Sequence, residues 1–524
     1  MKRLILTLTL LCAPLFSLIP LPWGGLGWAF HSSLASAQVV YADYSDPDGC
    51  EGEKGDYWLT ASSFQCTPGL PILHSRDLVN WELVNYAVER LLPVEHYNTI
   101  RHGCGVWAPS IRRHNDTYYI YWGDPDFGVF MVKTTDPRGR WTEPVLVVEG
   151  KGVIDPCPLW DEDGRCYLVN GWAASRCGFN SILTVRELSA DGTRVIGNPI
   201  LVYDGQVEGN HTVEGPKFYK HDGYYYILAP AGGVETGWQL ALRSKHVYGP
   251  YESKIVFNKD GIHQGGWVAD KFIAFQNRGP YGRILHLLDV EWKNGWPMMK
   301  ERPTPGPSHQ GGGLRARDES LLYQWHANYQ DHFGFVTNNG VRVYGYPIST
   351  DSSANSEPGF KNLWEVPNLY LRKFEGETFT DTLHMTITAT EKGQQSGFVV
   401  MGRDYCRLSV ELQGDAFVLK HITCKDADLC GAEEEETIGT IKARSYNAGA
   451  KKNYECRLSV RIQCNKGALC HFAYSTDGHN FTPITAPFQA RVGKWIGAKY
   501  GVFSFTHDTK SKGWVELRDG DTQF

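Results

Sequence analysis

Between about residue 40 and residue 300, apolar positions fall in short runs broken by clusters of Gly, Asp, Asn and Pro. The runs are rich in aromatic and β-branched residues, and no stretch sustains a 3.6-residue period, so the pattern predicts strands and tight turns. One unit recurs. Gly55-Asp56-Tyr57-Trp58-Leu59, Asn115-Asp116-Thr117-Tyr118-Tyr119, Asp163-Gly164-Arg165-Cys166-Tyr167 and His221-Asp222-Gly223-Tyr224-Tyr225 each place a turn directly before an aromatic strand. Ala269-Asp270-Lys271-Phe272-Ile273 is a weaker fifth copy. The repeat of roughly 50–60 residues is the size of one four-stranded propeller blade, and five copies predict a five-bladed β-propeller over residues 38–305.

The pattern then changes. A Pro/Gly-rich stretch around Pro303, Pro305, Pro307 and Gly311-Gly312-Gly313 reads as a linker over residues 306–315. From 316 to 524, short strands alternate apolar and polar residues, as in Arg407-Leu408-Ser409-Val410-Glu411-Leu412, which predicts an antiparallel β-sandwich. The chain is therefore expected to be all-β, a propeller followed by a sandwich. The acidic run at Glu433, Glu434, Glu435 and Glu436 is expected to be a solvated loop.

The first 37 residues read differently. Lys2 and Arg3, the apolar run from Leu4 to Ile19 and the Ala35-Ser36-Ala37 pattern make an export signal with the mature chain starting at Gln38. No other stretch is apolar enough to span a membrane. A secreted or periplasmic protein, free of the membrane after cleavage, is the expectation. Export implies an oxidising compartment. Of 13 cysteines, Cys12 lies in the leader. Cys424/Cys430 and Cys464/Cys470 share one spacing, and Cys406-Arg407-Leu408-Ser409-Val410 is echoed by Cys456-Arg457-Leu458-Ser459-Val460. Strand pairs ending in turns that disulfides staple are expected there. No C-x-x-C pair occurs, which argues against zinc.

Composition narrows the partners. A net charge of -6 offers no basic patch for nucleic acid. The 17 Trp and 27 Tyr supply flat rings with polar edges, which suit sugars as well as a β-rich core.

Three carboxylates stand in phase with the repeat. Asp46 and Asp155 each precede a proline, in Tyr44-Ser45-Asp46-Pro47 and Val153-Ile154-Asp155-Pro156, and Glu214 precedes Gly215-Pro216. Each comes before the aromatic strand of a different blade, so a propeller brings all three to one end of its channel. A Glu fixed beside apolar groups keeps its proton near neutral pH and can donate it. Converging carboxylates suit glycoside hydrolysis, in which one protonates the leaving oxygen, one activates water or attacks carbon, and a third tunes the acid.

The chain resembles glycoside hydrolase family 43, the β-xylosidases, α-L-arabinofuranosidases and arabinanases. The resemblance rests on Ser45-Asp46-Pro47-Asp48, Trp107-Ala108-Pro109-Ser110-Ile111, Ile154-Asp155-Pro156, Val213-Glu214-Gly215-Pro216-Lys217 and Tyr281-Gly282-Arg283. In the second half, Gln324-Trp325-His326-Ala327-Asn328 and Gly397-Phe398-Val399-Val400-Met401-Gly402 are similar to the concanavalin-like lid sandwich of the long β-xylosidases. The resemblance implies an inverting mechanism with Asp46 as general base, Glu214 as general acid and Asp155 as modulator and orienter of the acid. It further implies that Arg283 binds sugar hydroxyls and that Trp107 and Phe64 wall the pocket. His263 matches a channel histidine that holds calcium with waters in some relatives. An aromatic from the sandwich is expected over the site, with Trp495, Tyr500 and Phe503 as candidates. Ser45 departs from the family, which usually has proline there.

The expected activity is exo-hydrolysis releasing terminal xylose or arabinofuranose from plant cell-wall oligosaccharides, with no cofactor required for the chemistry. The rivals are an arabinanase and a non-catalytic carbohydrate-binding propeller.

Overall fold

The structure is a computed structural model that describes residues 38–53, 55–301, 314–348, 360–449, 451–506 and 513–518. The leader and most of the linker lie outside the described residues.

Five antiparallel sheets follow one another along the chain. The first four are Asp48–Glu51 to Trp81–Val88, Trp107–His114 to Val145–Glu149, Val153–Trp160 to Ile200–Asp204, and Lys217–His221 to Glu252–Phe257, each four consecutive strands. The fifth runs Ile262–Val268, Lys271–Asn277, Arg283–Lys293 and Trp296–Glu301. The turn chemistry explains the hairpins. His221 pairs with Tyr224 across Asp222 and Gly223, whose φ values of 47° and 74° suit the two-residue turn that matches strand twist.

The ring is closed by the N-terminus. Gln38–Val40 pairs with Arg283–Lys293, so the first described strand belongs to the last blade. Apolar seams separate the blades. Trp58, Ile72, Ile111 and Ile120 fill one seam; Tyr121, Met131, Val153 and Leu168 fill the next. Cys157, Val169, Phe218 and Ile227 follow, then Leu228, Ala241, Phe272 and Leu288. The closing seam joins Val39 and Val40 to Leu59, Leu73, Ile273 and Leu285. Burial on both faces explains why these strands read as continuous apolar runs.

Among the described residues, the sandwich consists of two eight-stranded sheets. The echoed segments at Cys406 and Cys456 lie in different sheets and face one core that contains Leu408, Val410, Leu458 and Val460. The acidic run is a strand, not a loop: Glu433–Lys442 edges one sheet, Glu433 is bound by Arg407 at 2.7 Å, and its successors face solvent. Leu314–Ala316 is also not linker. It adds in parallel to Trp81–Val88, extending the first blade. The twelve cysteines beyond the leader are all free thiols, so the staples expected at the two turns are not formed in this structure. Cys464 and Cys470 do stand opposite each other in register, whereas the Cys424 thiol turns to the Gly431 carbonyl at 3.2 Å and Cys430 is exposed.

The closing seam carries a prediction. Val40 is fully buried, so Val40→Asp places an unpaired carboxylate where the ring shuts, at a cost of about 3 kcal/mol or more. Calorimetry is expected to show a drop in Tm of several degrees, with far less effect from the same change at exposed Val207.

Candidate active site

The innermost strand of each blade begins with a backbone kink. Asp46, Ala108, Asp155, Gly215 and Gln264 have φ of 52°, 32°, 54°, 55° and 49°, one residue per blade. Four of the five precede a proline. At Trp107/Ser110, Ile154/Cys157 and His263/Gly265 the strand register also shifts, the mark of a bulge. A bulge re-aims side chains, and left-handed backbone at a non-glycine residue costs on the order of 1–3 kcal/mol. Four of the kinked residues, Asp46, Ala108, Asp155 and Gln264, line a common hollow, as does Glu214, directly before the fifth.

That hollow is ≈ 90 Å³, small beside the roughly 300–1,000 Å³ of pockets for drug-sized ligands and suited to one sugar ring. Asp46, Asp155 and Glu214 all line it, with Arg283. Phe64, Trp107, Val234 and Trp495 give it apolar walls. A larger hollow of ≈ 440 Å³ lies at the opposite ends of the same innermost strands, beside Arg112, Arg113, Trp160 and Lys220. None of the three carboxylates lines it.

Each acidic group has its own environment. Arg283 Nη1 donates to Asp46 Oδ1 at 2.6 Å, and Ser62 Oγ donates to Asp46 Oδ2 at 2.7 Å. Ser62 Oγ in turn accepts from the Ala108 amide at 2.8 Å, tying the first blade's kink to the second's. Asp155 Oδ2 accepts from the Gly215 amide at 2.8 Å, so it grips the backbone directly after Glu214. Gly171 packs beside both acids: a Cβ there would stand in ordinary van der Waals contact, 3.6 Å from Glu214 Cα and 3.7 Å from Asp155 Oδ2. Burial pushes the Glu214 carboxyl well above the usual range, and the charges of Asp155 and Asp46 push it further. Asp155 is also raised by burial, but the Gly215 amide and the charges of Lys217 and Arg283 pull it back. No amide donor opposes the rise at Glu214. Of the two, Glu214 therefore has the environment that favours the protonated form.

Sequence reasoning placed these three acids, Arg283, Trp107 and Phe64 in one site, and the structure brings all six together. Arg283 is 7% exposed, so it is no surface ion-pair residue, and its guanidinium lies 5.8 Å from the Trp495 ring. Of the sandwich aromatics, Trp495 lines the hollow and is 43% exposed. Tyr500 and Phe503 are buried, Tyr500 donating to Asp381 at 2.8 Å. Gln264 and Val234 escaped the sequence reading. Gln264 could have been found as the fifth blade's counterpart to the X-Pro kinks. Val234 sits on a loop that no repeat marks.

His263 is not a wall of the hollow. It is buried beneath it, donates from Nε2 to the Val234 carbonyl at 3.2 Å and stays neutral, its pKa lowered to about 4 by burial. Calcium takes six to eight oxygens. Among the described residues no group of three or more His, Cys, Asp or Glu side chains could hold a metal ion, so the side chains around His263 do not by themselves fit calcium.

The profile of glycosyl hydrolases family 43 matches residues 37–297, and that of the β-xylosidase C-terminal concanavalin A-like domain matches residues 318–518. A xylan 1,3-β-xylosidase from a Vibrio species is 34% identical over 90% of this chain and 82% of its own length. The chain belongs to glycosyl hydrolases family 43. A non-reducing-end α-L-arabinofuranosidase of Bacteroides ovatus is 33% identical over 52% of this chain and 55% of its own. The solved xylan β-1,4-xylosidase of Bacillus halodurans shares the fold, with TM-score 0.72 at 18% identity over 92% of this chain and all of that one. Both domains of the family 43 fold are thus present, and Trp495 carries the second domain into the pocket of the first.

Glu214's raised pKa has a consequence for stability. Between its unfolded value near 4.5 and its higher folded value, the folded chain binds the extra proton, so stability falls as pH rises through that window. Glu214→Gln removes this dependence. Calorimetry is expected to show the variant with a higher Tm than wild type at pH 8, and the two with equal Tm at pH 4, where the acid is protonated in both states.

Proposed function

We propose that the protein is an exo-acting, inverting glycosidase that releases terminal xylose or arabinofuranose from hemicellulose oligosaccharides, with Glu214 as general acid, Asp46 as general base and Asp155 as the group that tunes and orients the acid. The observation that carries this is a hollow of one-ring size holding three carboxylates in unequal environments and walled by Trp495 of the second domain. A pocket so small takes the end of a chain rather than its middle, which favours exo-cleavage over the arabinanase reading.

The steps follow from the environments. Glu214, which keeps the proton, protonates the glycosidic oxygen as the bond to the anomeric carbon breaks. Asp46, fixed by Arg283 and Ser62, takes a proton from a water that attacks the opposite face of the sugar. An inverting pair needs room for that water, with carboxyls roughly 6.5–9.5 Å apart. Asp155 holds Glu214 through the Gly215 amide, and its negative charge resists ionisation of the acid. Arg283 stands at the pocket floor, where it donates to sugar hydroxyls as well as to Asp46. The family relatives that act on xylosides and arabinofuranosides support both sugars. The leader, outside the described residues, supports export to a compartment where plant cell-wall fragments are met.

Turnover of aryl β-xylosides and aryl α-L-arabinofuranosides, with the product anomer followed by NMR, tests this reading. Initial release of the inverted anomer is expected. Retained configuration, or no turnover of either substrate, overturns it. Glu214→Gln is expected to lower kcat/KM on oligosaccharides by about 10²–10⁴ and on aryl glycosides with good leaving groups by far less, since only the former need the proton. Asp46→Asn is expected to abolish both.

The pH profile separates Asp155 from the acid it serves. Activity needs protonated Glu214, so the alkaline limb of kcat/KM marks that group. Asp155→Asn removes a negative neighbour, the Glu214 pKa falls, and the alkaline limb is expected to move toward acid. An unmoved limb assigns Asp155 to orientation alone.

A further inference from the structure

We propose that Asp43 is a positioning residue that sets the sugar pocket from the seam between the two domains. This rests on the glycosidase reading above, because its effect is read in turnover. Asp43 is 5% exposed and lines no part of the hollow. Its Oδ1 accepts from the Arg283 amide at 3.0 Å and from Ser45 Oγ at 2.9 Å. Its Oδ2 accepts from the Gly497 amide of the sandwich at 2.9 Å. These three donors belong to three segments, and each delivers a pocket residue. Arg283 is itself the sugar-side cation. Ser45 directly precedes Asp46. Gly497 is two residues beyond Trp495.

The surroundings are shaped for this carboxylate. Gly282 has φ 77°, and a Cβ there would stand 2.3 Å from Asp43 Cγ. A Cβ at Gly497 would stand 2.8 Å from the Gly282 amide nitrogen. Two glycines, one from each domain, leave room for Asp43 to reach both backbones. Around them the seam is held by further bonds: Lys373 Nζ of the sandwich donates to the Asp43 carbonyl at 2.6 Å, and the Ala498 amide donates to the Pro280 carbonyl at 2.7 Å. The sandwich turn at residues 493–497 closes on itself, Gly493 N donating to Ile496 O at 2.8 Å, with Trp495 at φ 65°. Such a turn presents Trp495 at one fixed angle when its end is anchored, and Asp43 is that anchor.

A buried carboxylate with three donors is satisfied on both oxygens, and such charge-assisted bonds are the strong ones. The two oxygens do different work, so two substitutions separate them. In Asp43→Asn the carbonyl oxygen keeps the Arg283 and Ser45 donors, while the amide NH₂ meets the Gly497 N–H, donor against donor. Only the Trp495 turn is released. Asp43→Ala releases Arg283 as well.

Kinetics on a xylo-oligosaccharide are compared for wild type, Asp43→Asn, Asp43→Ala, Trp495→Ala and the Asp43→Asn/Trp495→Ala double variant, with Tm recorded for each. Asp43→Asn is expected to raise KM about tenfold with kcat within about twofold, to match Trp495→Ala, and to add nothing in the double variant. Asp43→Ala is expected to lose kcat in addition. Wild-type kinetics in Asp43→Asn, or losses of Asp43→Asn and Trp495→Ala that multiply, overturn the proposal. If Asp43→Ala fails to fold, the Asp43→Asn and Trp495→Ala pair still decides. If the wild type turns over an arabinofuranosyl oligosaccharide instead, the same comparison is made on that substrate; absence of turnover on both sinks the glycosidase reading, and the same variants are then compared by calorimetric affinity for xylose and arabinose, where a loss in Asp43→Asn equal to that in Trp495→Ala supports the proposal and wild-type affinity overturns it.

Discussion

The constraint beneath this site is the left-handed kink that opens every innermost strand. A strand sends successive side chains to alternate faces, so five strands running down a channel would scatter their first residues. The kink breaks that alternation at one residue per blade: Asp46, Ala108, Asp155 and Gln264 line the same mouth, and in the fourth blade Glu214, directly before the kinked Gly215, does so. Proline after four of them removes an amide that the kinked backbone could not pair and fixes the chain's direction as it enters the strand. The strain is tolerated because the apolar seams between blades hold the strands from both sides.

On that framework, unlike environments turn three similar acids into different groups. Asp46 is met by a guanidinium and a hydroxyl, Asp155 by a backbone amide, and Glu214 by little except apolar wall and the charges of its neighbours. Asp155 does two things to Glu214 at once. It pins the next residue's backbone, and its charge discourages ionisation. Orientation and proton affinity are therefore both influenced by one side chain.

The second domain is part of the pocket. Trp495 narrows a channel mouth to the volume of a single ring, and the seam below it runs through Asp43 to Arg283 and the segment that carries Asp46. A propeller mouth alone is an open bowl. The sandwich makes it a dead end, which is what chain-end cleavage requires.

The sequence alone determined the five blades, because turn residues before aromatic strands recur at a fixed period, and period is a local property. It also picked out three acids that meet in one hollow, since Asp-Pro, Asp-Pro and Glu-Gly-Pro fall in phase with that period. The tertiary structure decided what no local pattern encodes. It selected Trp495 over Tyr500 and Phe503, because which sandwich aromatic reaches the propeller depends on how the domains dock. It turned the Glu433 run into an edge strand whose first residue pairs with Arg407, a partner 26 positions away that charge counting does not reveal. It left the cysteines as free thiols and separated two pairs of equal spacing: Cys464 and Cys470 stand opposite each other in register, whereas the Cys424 thiol turns to the Gly431 carbonyl and Cys430 faces solvent. It also placed the Glu214 proton, because proton affinity depends on burial and on charges carried by other blades, which meet only when the ring is closed.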